Sequence, residues 1–69
     1  MEFAQGTIIR WDDSATSGKG VVRGVANNGV AVLGKSWIIE VTQSDPPIPN
    51  KTYPYTHRVV FGVHIKEVL

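Results

Sequence analysis

The chain contains no cysteine. That excludes disulfides and thiolate metal sites, and it removes the staples on which small secreted domains rely. It fits a reducing compartment. Long apolar runs are also missing, so no segment has the length of a bilayer span. The opening Met-Glu-Phe lacks the basic region and apolar stretch of a secretory signal, and the chain reads as cytoplasmic. Charge of one sign is scarce: seven basic and six acidic residues leave a net charge of +1, less than most polyanion-binding surfaces carry. No window shows a helical period and no internal repeat is visible. With 69 residues the chain is long enough for one domain, 1–69, with a modest core and a small stability margin. Oligomerisation, in the simplest case a homodimer, is the remaining way to add buried surface.

What is present is β-forming. Residues 2–11 form the first expected strand, rich in Phe3, Ile8, Ile9 and Trp11, with Gly6 marking a bulge or bend. Residues 12–17 are short and polar and read as a loop. A second strand is expected over 20–25, a turn at Asn28-Gly29, a third strand over 30–33 and a fourth over 36–42. Prolines 46, 47 and 49 forbid regular structure over 43–50, and Pro54 extends the irregular segment to about 43–54. Residues 56–65 alternate with period two and form the last long strand. The expected core is Ile8, Val22, Val30, Val32, Trp37, Ile39, Val41, Val59, Phe61 and Val63, with Val68 and Leu69 packing the C-terminus back. Several short strands with glycine-rich turns predict an all-β fold, a small five-stranded antiparallel barrel.

Gly6-Thr7-Ile8-Ile9-Arg10-Trp11, followed by Gly18-Lys19-Gly20-Val21-Val22, resembles the start of the bacterial cold-shock domain family. Its first strand begins Gly-x-Val-Lys-Trp-Phe and its second carries Gly-Phe-Gly-Phe-Ile. The family's third strand, Val-Phe-Val-His, falls on Val30-Ala31-Val32-Leu33, and its last two strands fall on 58–63 and 65–69. The resemblance implies an OB-type barrel that stacks single-stranded nucleic acid on aromatics of the first three strands. The family tryptophan falls on Arg10 and the two phenylalanines of strand two on Lys19 and Val21. The third strand's aromatics fall on Ala31 and Leu33, so most of the stacking positions are changed.

Two functions follow. Arg10, Trp11, Lys19 and Arg23 offer cations for phosphates and a ring for a base, the elements of weak single-stranded RNA or DNA binding; Asp12 and Asp13 beside them oppose phosphate. The alternative is a protein-interaction module or small inhibitor on a cold-shock-like or SH3-like barrel. It would act through an apolar face of Ile9, Val21, Ala31 and Leu33, or through the proline loop with Ile48, Tyr53 and Tyr55. His57 and His64, seven residues apart, point to opposite faces of a regular strand, and no third ligand accompanies them, so the sequence offers no metal site. Ser14, Ser17 and Ser36 show no histidine–carboxylate relay, and Gly18-Lys19-Gly20 lacks the rest of a phosphate loop. The sequence therefore predicts neither an enzyme nor a cofactor.

Overall fold

A computed structural model of the protein describes residues 2–30 and 34–69, the Val30 side chain excepted. Five antiparallel strands form one sheet: β1 (Ile8–Asp12), β2 (Ser17–Val30), β3 (Gly34–Asp45), β4 (His57–Phe61) and β5 (Ile65–Val68). A 3-10 turn, Gly62–His64, joins β4 directly to β5. The strand order is β4-β3-β2-β1-β5. The all-β expectation holds, but the closed barrel does not form. Closure would require the edge strands β4 and β5 to pair, and each is hydrogen-bonded on one side only, β4 to β3 and β5 to β1. The barrel implied by the cold-shock resemblance is absent for the same reason.

The sheet curls around a core of Phe3, Ile9, Trp11, Val22, Trp37, Ile39, Val60 and Ile65, with Val41 packed against it. Burying each large apolar side chain contributes roughly 1.5–3 kcal/mol. Ala4 to Thr7 makes a tight turn in which the Thr7 amide donates to the Ala4 carbonyl at 3.1 Å, and Gly6 has φ of +93°. This turn drops Phe3 onto Trp37, edge to face, with ring centroids 5.2 Å apart, a favourable aromatic geometry.

The same turn corrects the phase of the first strand. β1 begins only at Ile8, so Ile9 and Trp11 point inward while Ile8 is exposed. The last stretch also changes phase. The 3-10 turn interrupts the alternation, Val60 and Ile65 become core, and the expected core residues Val59 and Val63 are exposed. Phe61 is half-buried. Asn28-Gly29 lies within β2, where the register is irregular, and not at a chain reversal; Val30 pairs with Gly34. The expected core residue Val32 lies outside the described residues, and of Val30 only the backbone is described.

β3 runs on to Asp45, so residues 43–45 are strand and the irregular segment is 46–56. Asn50 accepts hydrogen bonds from the Thr52 amide at 3.0 Å and the Thr52 hydroxyl at 2.6 Å. Ile48 is half-buried and lines a small hollow with Val41 and Thr56. No helix of the described residues is long and apolar enough to cross a membrane.

Candidate functional site

The chemistry of the sheet concentrates where β1, β2 and the end of β3 lie side by side. Asp12 pairs with Ser17, and Ser17 with Asp45; Arg10 pairs with Lys19, and Lys19 with Gln43. Directly paired residues share a face, so two polar rows cross the outer surface. One carries Asp12, Ser17 and Asp45, the other Arg10, Lys19 and Gln43. The row between them, Trp11, Gly18 and Ser44, turns the opposite way. A cleft of about 230 Å³ opens over these three rows.

Gly18 permits this packing. A Cβ there would lie 2.8 Å from the Ser44 Cα and 2.9 Å from Cη2 of Trp11, and would collide with the Gln43 carbonyl. Only glycine lets the indole and β3 approach β2 so closely.

Trp11 is held from the adjoining turn. Its indole N–H donates to Oγ1 of Thr16 at 3.2 Å. Asp13 organises the turn through one carboxylate oxygen, which accepts from the Ala15 amide at 3.1 Å, the Thr16 amide at 2.8 Å and the Thr16 hydroxyl at 3.2 Å. Its other oxygen lies 3.6 Å from the Arg58 guanidinium. Arg58 belongs to β4, so this contact spans the curled sheet. The Thr16 amide bond, chiefly, holds the Asp13 carboxyl below the usual carboxylate range; desolvation opposes it, and the Thr16 hydroxyl and Arg58 assist.

The basic–aromatic face expected for nucleic acid is not formed. Trp11 is fully buried and presents no ring for a base. Arg10 is paired with Glu67 at 2.7 Å and Arg23 with Glu40 at 2.7 Å. Of the four residues named for this role, Lys19 alone has no ion-pair partner among the described residues. The single-stranded RNA or DNA partner loses its structural basis with that face.

The apolar face of the alternative is also not formed. Ile9 is buried in the core, whereas Val21 pairs with Ile8 and so lies on the other side of the sheet. Ala31 and Leu33 lie outside the described residues. Ile48 faces its own hollow, and only Tyr53 and Tyr55 stand exposed. Among the described residues, the face expected to carry a protein partner or a homodimer is therefore not formed.

Sequence reasoning missed Asp45, assigned to the loop, and Arg58, read as one more member of an alternating strand. His57 lies outside the cleft; its Nδ1 is 2.9 Å from the Thr56 hydroxyl and its Nε2 4.0 Å from Glu40. Comparison with known proteins finds no matching family model, no matching curated protein and no matching solved structure.

Proposed function

We propose that this domain is a non-catalytic binding module of the cytoplasm that receives a small polar ligand in the cleft over Gly18. The observation that carries the reading is the cleft's lining. The Lys19 ammonium and the Asp45 carboxylate both border it, and neither has a side-chain partner among the described residues. Arg10, the cleft's other cation, is already paired with Glu67. Outside the cleft Arg23, Lys35 and Arg58 each meet a carboxylate, whereas Lys51 and Lys66, like Lys19, have no ion-pair partner among the described residues. A concave site with a few convergent polar groups is the form small-ligand sites take. At about 230 Å³ the cleft falls below the roughly 300–1,000 Å³ of drug-sized pockets, so its occupant is small.

The non-catalytic reading draws on the same lining. Ser17 is the hydroxyl of the outer rows, and no imidazole lines the cleft beside it, so it lacks the base that activates a serine nucleophile. The cytoplasmic placement draws on the absence of cysteine.

Amide chemical-shift mapping against a panel of small polar molecules tests the reading. Shifts should concentrate at residues 10–12, 17–19 and 43–45. The substitution Ser17→Phe, which fills the outer face without entering the core, should abolish them while leaving the melting temperature within a few degrees. Shifts located elsewhere, or unchanged in Ser17→Phe, would overturn it.

A further inference from the structure

Resting on the cleft as the binding site, we infer that its ligand is a small zwitterion whose carboxylate meets Lys19 and whose ammonium meets Asp45. The lining is balanced in charge: Arg10 and Lys19 face Asp12 and Asp45. An anion entering it gains two cations but meets two carboxylates, and a cation meets the reverse. Like-charge juxtaposition of that kind rejects a ligand as effectively as missing contacts do. A zwitterion alone satisfies both signs.

The four charges are not equivalent. Arg10 is already turned to Glu67. Asp12 already accepts the Ser14 amide at 3.0 Å. Lys19 and Asp45 remain. They stand on neighbouring strands, where Ser17 is opposite Asp45 and Gln43 is opposite Lys19. That makes them diagonal neighbours, about 7–8 Å apart at the backbone. No ion pair joins them. Such a separation suits a short dipolar molecule making one charge-assisted hydrogen bond, about 2.8 Å long, at each end. Ser17 and the amide of Gln43 add neutral donors and acceptors along the path between them.

The neighbouring ion pairs bound the cleft on two sides. Glu67 covers Arg10 on the β5 side. On the other side of Lys19 the outer face closes with the Arg23–Glu40 pair, 2.7 Å apart. Those pairs bound the Lys19 row, and the Asp12–Ser17–Asp45 row lies on its other side, toward Pro46.

Four probes of one chain length separate the classes: γ-aminobutyrate, butyrate, butylammonium and butyramide, each titrated into the whole protein and followed by the amides of residues 17–19 and 43–45. γ-Aminobutyrate should bind best, with butyrate, butylammonium and butyramide each weaker by about tenfold or more, the worth of one charge-assisted bond. Lys19→Met should reduce γ-aminobutyrate to the level of butylammonium, and Asp45→Asn should reduce it to the level of butyrate. Both residues are on the outer face, and thermal melts of both variants should stay close to the parent protein. Equal binding of a singly charged or neutral probe overturns the zwitterion and leaves the cleft as the site. So does binding at the cleft confined to other members of the polar panel. Failure of every polar molecule to shift these amides overturns the cleft reading itself.

Discussion

The two tryptophans are equally hidden and differently held. Trp11 is fully buried and Trp37 is 2% exposed. The Trp11 indole N–H is bonded to Thr16 within the network that Asp13 organises. The Trp37 indole N–H has no partner among the described residues. That ring is instead held by the edge of Phe3 and by the Lys35 ammonium, 5.5 Å above its centroid; Lys35 is itself paired with Glu2. Each ring lies beside a glycine, Gly18 for Trp11 and Gly62 for Trp37. One end of the sheet is thus fixed by directional hydrogen bonds and close backbone approach. The other is fixed by packing and a cation above a ring, which tolerate small displacements. The cleft sits at the directional end.

The largest difference should come from the two glycines. Gly18→Ala places a Cβ against backbone and indole, and should cost about 3 kcal/mol, the upper end of overpacking penalties. At Gly62 a Cβ meets only the Lys35 carbonyl at 3.5 Å and Nε1 of Trp37 at 3.6 Å, both ordinary contacts. Gly62→Ala should change stability by less than about 1 kcal/mol. Urea midpoints of the two variants check this.

Thr16→Val comes next. It keeps the side chain's shape but strands the Trp11 indole N–H and removes a donor to Asp13, for an expected loss of about 1–3 kcal/mol. Paired Trp→Phe substitutions sharpen the contrast. At position 11 the change leaves the Thr16 hydroxyl without its donor; at position 37 it removes an N–H that had no acceptor. Trp11→Phe should therefore be the more destabilising, by about 1 kcal/mol, in the same urea series.

The smallest effect is in acid. Asp13 in the folded chain titrates below its unfolded value of about 3.9. The stability it contributes is therefore present above that value and disappears as pH falls through the lower folded pKa. Glu2, lowered chiefly by its hydrogen bond with Lys35, adds a term of the same sign at the Trp37 end. Melting temperatures between pH 7 and pH 2 should fall less steeply for Asp13→Asn than for the parent protein, because that variant has already lost the titrating group.

Much of the fold was legible because it is local. The β class, the irregular proline segment, and Val22, Trp37 and Ile39 as core follow from side-chain type and spacing. The phase of the end strands was not. Gly6 belongs to a turn that shortens the first strand, and Gly62 opens a 3-10 turn that splits the last. Either event moves every neighbouring side chain to the other face, which put Ile8 and Val59 in the expected core in place of Ile9 and Val60. Counting alternation from Trp11 inward would have found Ile9. The cleft was illegible for a different reason. It depends on Asp12, Ser17 and Asp45 lining up across three strands, and register of that kind is set by the whole sheet. The Asp13–Arg58 contact likewise joins residues far apart in the chain, with no local pattern to announce it.

Hydrogen exchange of the two indole N–H groups, followed by NMR in the parent protein, tests most directly the claim that Trp11 is locked into the frame of the cleft and is not a base-stacking surface. The Trp11 indole proton should exchange only through global unfolding, at the rate of the slowest core amides, and its resonance should not move when a single-stranded oligonucleotide is added. The Trp37 indole proton should exchange faster, through local opening. A Trp11 proton that exchanges as quickly as that of Trp37, or that shifts with the oligonucleotide, would contradict the account.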